Sequence, residues 1–81
     1  MRDYSGNDNY GNPKHNYFIK VKSMSDKELL EETEQSIWLS AYATNNPRSD
    51  YHWHVDACWD AWDLRGNLSG YEKAWKRASG Q

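Results

Sequence analysis

A chain of 81 residues with a hydrophobic fraction of 37% has room for one small domain, near the lower size limit at which a single core offsets chain entropy. The net charge of −2 argues against a general nucleic-acid binder that works by neutralising phosphates, and the single cysteine excludes an internal disulfide and every cysteine-cluster zinc site. Aromatic residues make up 15%, with five tryptophans among them, so the core must be built from a few large side chains whose polar tips need partners or water.

Residues 1–16, MRDYSGNDNYGNPKHN, are too rich in Asn, Gly and Asp to bury much surface and read as a flexible tail, with Tyr4 and Tyr10 able to fold back onto the domain. The following Tyr17-Phe18-Ile19-Lys20-Val21-Lys22 alternates, which predicts a short extended segment with Tyr17, Ile19 and Val21 on one side. Residues 17–81 then form the single folded domain. Ser25-Asp26-Lys27-Glu28 is a capping box, and the acids behind it suit the first turns of a helix. That helix is expected to run to about Ala43, where Asn45-Asn46-Pro47 stops it. Its inward stripe is Leu30, Thr33, Ile37 and Ala41, broadened by Trp38 and Tyr42, and its outer face is Glu28, Glu31, Glu32 and Gln35.

A short connection, Thr44 to Ser49, predicts an antiparallel hairpin with a second helix over Asp50 to Gly66, capped by Ser49 or Asp50 and ended by Gly66 in a left-handed turn. At about 100° per residue this helix shows two apolar faces. One holds Tyr51, Val55, Cys58, Trp59 and Trp62; the other holds Trp53, Ala57, Ala61 and Leu64. A polar strip of His52, Asp56, Asp60 and Asp63 separates them. Such a helix has to be covered twice, by its neighbours or by another molecule. Ser69-Gly70-Tyr71-Glu72 offers another capping box, and Tyr71, Ala74, Trp75 and Ala78 form the apolar stripe of a third helix. The expected fold is mainly α, a small three-helix bundle with a flexible N-terminal tail and one short extended segment. In it the first and third helices cover opposite faces of the second.

The sequence holds no motif that names a reaction. His52, Asp56 and Asp60 follow at i, i+4 spacing and could offer a metal one nitrogen and two oxygens, but the set is incomplete, and His54 points away from it. Cys58 lies about 120° around the helix from His52, so the two do not form a nucleophile and base. No phosphate loop or nucleophile elbow exists. These readings give no enzyme, cofactor or metal. The chain has no apolar run long enough to span a bilayer and no signal peptide, and with one buried-type thiol it reads as cytoplasmic.

Two binding readings follow. In the first, the aromatic load exceeds what so small a core can bury, and an exposed tryptophan flanked by charge is a common protein-binding hot spot. The contact residues would be Trp53, His52, Asp56, Asp60, Asp63, Glu31 and Glu32, with Trp53 the exposed tryptophan. In the second, the helices either side of Gly66 form a helix-turn-helix whose Lys73, Lys76 and Arg77 reach nucleic acid.

The run MSDKELLEETEQSIWLSAYATNNPRSDYHWHVDACWDAWDLRG, from Met24 to Gly66, resembles small uncharacterised proteins encoded by bacteriophages, above all in IWLSAYATNNPRSDYHWHVDACWDAW. Met24, set before a helix cap, looks like an older start, with residues 1–23 an extension. The resemblance covers about half the chain and transfers no functional residue. It implies an accessory protein, monomer or homodimer, that binds and blocks a bacterial host protein such as a CRISPR or other defence effector in the cytoplasm of the host.

Overall fold

A computed structural model describes residues 4–8, 10–42 and 50–80 of the chain. It is mainly helical, with four helices among the described residues: α1 (Lys14–Lys22), α2 (Asp26–Tyr42), α3 (Tyr51–Leu64) and α4 (Leu68–Ala78). The expected capping box starts α2. Ser25 Oγ accepts from the Glu28 amide at 3.2 Å, and the Glu28 carboxylate accepts from the Ser25 amide at 3.1 Å. Those bonds, the backbone one foremost, hold the Glu28 carboxyl below its ordinary pKa. The expected ends of α2 at Ala43 and of the hairpin turn at Asn45-Asn46-Pro47 and Ser49, and the packing of the Tyr42 side chain, lie outside the described residues.

Gly66 ends α3 as its position suggested. Its φ of +69° turns the chain, its amide bonds the Asp63 carbonyl, and the Asn67 amide bonds the Trp62 carbonyl. The paired bonds of a Schellman turn thus satisfy the last carbonyls of α3. The second capping box does not form. α4 begins two residues earlier, at Leu68, and Ser69 donates instead to the Asn67 side chain at 2.6 Å.

α2, α3 and α4 pack against one another, with α3 antiparallel to the other two. Thr33 of α2 meets Trp62 of α3, Asp26 meets Arg65, and Ser40 meets His52. α2 and α4 run parallel, since Lys27 and Lys73 share one hollow and Glu34 pairs with Arg77 further along. Both pack against α3 as well as against each other. The core centres on Trp62, Phe18, Leu29, Val21 and Cys58.

The extended segment is corrected to a helix. Residues 17–22 belong to α1, so the described residues hold four helices and not the expected three, with α1 laid on α3. Alternation at Tyr17, Ile19 and Val21 misled because the side chains that fix α1 are Phe18 and Val21, three apart and 1% and 0% exposed, while Ile19 is left at the surface. That spacing puts Phe18 and Val21 on one helical face. α1 follows α3 from Lys14 over the Trp53 ring to the Lys22 carbonyl, which accepts from Arg65. It runs beside the stretch holding Ala57 and Ala61, small residues that permit close approach. α1, and not the third bundle helix, supplies the second cover for α3.

Residues 4–8 and 10–13 form a hydrogen-bonded loop ahead of α1. The Asp8 carboxylate accepts from the Tyr10 and Asn12 amides, and the Lys14 amide bonds the Gly6 carbonyl. This loop brings Tyr4 back under the domain, stacked on Phe18 at 4.5 Å and 8% exposed, whereas Tyr10 stays in solvent.

Candidate functional site

The residues expected at a contact divide in the structure. Asp60 is buried, and the Tyr4 hydroxyl donates to its carboxylate at 2.5 Å. It therefore helps close the N-terminal loop onto α3. Glu32 accepts from the Tyr17 hydroxyl at 2.6 Å, which spends it on the join between α1 and α2. His52 shares a 2.6 Å bond between its Nδ1 and Ser40 Oγ, a polar link between α2 and α3. Asp56 is half-buried, while Asp63, Glu31 and His52 stand exposed.

Trp53 is not the exposed tryptophan. Its ring is half-buried, edge-on to Tyr17 at 5.4 Å, and its indole N–H donates to Asp50 at 3.0 Å. Asp50 accordingly serves the indole rather than capping α3 through its side chain. The exposed ones are Trp38 on α2, 55% accessible, and Trp75 on α4, 50% accessible. α2 explains the difference, because its described buried residues are Leu29, Thr33, Ser36 and Ile37, which keep Thr33 and Ile37 of the expected stripe but put Leu29 and Ser36 inward in place of Leu30 and Ala41. Tyr17 of α1 reaches Glu32 and comes near Ser36, so cover on that side turns the helix and lifts Trp38 outward. Sequence reasoning had placed both Trp38 and Trp75 in core stripes; the only available signal was the excess of tryptophan itself.

The most densely coupled polar cluster lies under α1. Tyr17, Glu32, Ser36 and Cys58 meet there, and His54 stacks on the Tyr17 ring at 4.0 Å. Burial foremost, then the neighbouring Cys58 and Glu32, pushes the Tyr17 hydroxyl far above its ordinary pKa. Burial likewise raises the Cys58 thiol and depresses His54, in the latter against the pull of Asp50 and Glu32. All three are held in their neutral forms, which suits a packed joint more than proton transfer. Ser40 and His52 offer a hydroxyl beside an imidazole, yet Ser40 sits inside α2, where its neighbouring amides are committed to the helix and supply no oxyanion donors.

Among the described residues, no three His, Cys, Asp or Glu side chains converge as a metal would require, and no helix is long and apolar enough to cross a membrane. Lys73, Lys76 and Arg77 are exposed on α4, with Arg77 paired to Glu34 at 3.0 Å. Two hollows follow one another along the crease between α2 and α4. The first, about 460 Å³, has Trp62 and Leu30 in its lining with Lys27 and Lys73; the second, about 420 Å³, lies between Trp38 and Ala78. Set beside known protein families, curated proteins and solved structures, the chain matches none of them.

Proposed function

We propose that this protein works by stoichiometric binding to another protein, with its surface on α2 and α4 as the contact. The observation that carries this is the exposure of Trp38 and Trp75 on a domain whose core already closes around Trp62. Half-exposed indoles leave a large apolar area in water, and tryptophan is enriched among the residues that dominate protein interfaces. Trp38 has Glu31 and Glu34 on its own helix and Arg77 across the crease, a polar rim around an aromatic anchor. Of the residues named from sequence, Glu31 belongs to this surface.

The partner class follows from the phage-type resemblance of Met24 to Gly66, which supports a bacterial host protein such as a defence effector, met in the host cytoplasm. Binding there would block the host protein without chemistry. The test is a tagged capture from nuclease-treated bacterial lysate, with bound proteins identified by mass spectrometry. A specific protein retained by wild type and lost by Trp38→Ala with Trp75→Ala supports the reading. Equal retention by that double variant refutes the site, and retention of nothing refutes the function.

The helix-turn-helix reading keeps one supporting observation, the tight three-residue link from α3 to α4 with Lys73 and Lys76 exposed beyond it. Arg77 is already engaged by Glu34, which weakens it. A low-salt gel shift abolished by Lys73→Ala with Lys76→Ala is the outcome it requires.

A further inference from the structure

The crease between α2 and α4 is charged unevenly along its length. At the end nearer the start of both helices, Lys27 and Lys73 border the first hollow, and neither makes an ion pair among the described residues. The one carboxylate there, Asp26, is drawn off by Arg65 at 2.7 Å. Halfway along, Glu34 and Arg77 close on each other across the crease and cancel. The far end has Trp38 and Ala78 as its apolar part, edged by Glu31 and Gln35. The crease is thus basic over an apolar floor at one end, paired in the middle, and aromatic with an acidic edge at the other.

We propose that this crease takes a short helical segment of the partner protein, with acidic residues at one end and an apolar face along the rest. The inference rests on the protein-binding reading and names the chemistry of the partner. Two parallel helices leave a groove into which a third can lay its apolar side. α4, eleven residues long, gives the groove a length of about 16 Å, which matches about eleven helical residues of an occupant. Carboxylates at the start of that segment meet Lys27 and Lys73, and side chains about three turns on reach Trp38. Acidic residues in the first turn also agree with the occupant's own helix dipole. α1 packs on α3 and leaves this crease uncovered among the described residues.

The probe is a fluorescein-labelled helical peptide of twelve residues, with two glutamates in its first turn and leucines at i, i+3, i+4 and i+7. A second peptide carries glutamines in place of the glutamates. Fluorescence anisotropy against the full chain is expected to show the glutamate peptide binding about five- to tenfold more tightly, the scale of two rim ion pairs. Lys27→Gln with Lys73→Gln removes that preference while the circular dichroism of the protein is unchanged, and Trp38→Ala weakens both peptides. Equal binding of the two peptides to wild type, or a preference that survives the double lysine change, overturns the proposal. So does duplex DNA binding lost on the same lysine change with no peptide bound. If a lysate protein is captured equally by wild type and the lysine variant, the groove is wrong and the protein-binding reading stands; if no peptide binds and no protein is captured, both fall.

Discussion

Replacing Gly70 by alanine sets helix propensity against packing, and the structure decides which wins. Gly70 lies within α4, where alanine is the better helix former by about 1 kcal/mol. A Cβ there would stand 2.5, 2.6 and 2.7 Å from three carbons of the Trp62 ring. Carbon atoms pack at about 3.5–4.0 Å, so the overlap is about 1 Å against a face of the indole. The ring cannot easily retreat. It is 1% exposed, its N–H donates to Thr33 Oγ1 at 3.0 Å, and Thr33 donates in turn to the Leu29 carbonyl at 2.6 Å. Overpacking costs about 1–3 kcal/mol, and a displaced indole also gives up a hydrogen bond of about 1 kcal/mol. Gly70→Ala is therefore expected to be less stable by about 1–3 kcal/mol, with Tm lower by about 4–8 °C for each kcal/mol. Urea unfolding followed by far-ultraviolet circular dichroism measures it. A variant as stable as wild type, or more so, would refute the close packing of α4 on Trp62.

Tyr4→Phe keeps the stack on Phe18 and removes only the bond to buried Asp60, an interaction of about 1.5–3 kcal/mol for a charged acceptor; an unchanged urea midpoint would place residues 4–13 off the domain. His54 has a folded pKa depressed below 6.5 by burial, so the unfolded chain binds the extra proton first and stability falls as pH drops through about 6.5. His54→Gln is expected to flatten that slope between about pH 7 and 5.5, and an undiminished slope would assign it to other groups. The Cys58 thiol, buried and raised in pKa, is expected to stay inert to a thiol reagent at neutral pH until denaturant is added; rapid labelling of the native protein would contradict its burial.

Local signals with a mechanism were legible. The Ser25–Glu28 box, the left-handed turn at Gly66 and the need to cover α3 twice all appear in the structure, because each depends on a few neighbouring residues. What α1 would do was not legible, since Phe18 and Val21 reveal their helical pairing only against α3. The same is true of Asp60. In the sequence it sits in a polar strip with Asp56 and Asp63, and in the fold it is buried and accepts from a tyrosine 56 residues earlier. The inward face of α2 was misplaced for a related reason: Leu29 and Ser36 become inward once Tyr17 arrives on their side, and no periodicity within α2 contains that information. Trp53, read from the sequence as the exposed tryptophan of its helix, is likewise half-buried once Tyr17 packs against its ring.

Closing that face from within the chain changes what residues 4–22 are. As an extension before Met24 they would be dispensable, yet they place Tyr4, Phe18 and Val21 in the same buried cluster as Ala57, Cys58, Ala61 and Trp62. Without them, α3 would present its Ala57 and Ala61 face to water, and the Arg65 guanidinium would lose the Lys22 carbonyl that it holds together with Met24 and Asp26. A segment that supplies two of the largest fully buried side chains is part of the folding unit. With α3 thus covered on both sides by its own chain, the aromatic surplus falls to the other two helices of the bundle. Trp38 and Trp75 stand on α2 and α4, and the uncovered crease lies between those same helices. The two-faced helix that dominates the sequence is therefore the scaffold, and the aromatic surface left uncovered is on the helices packed against it.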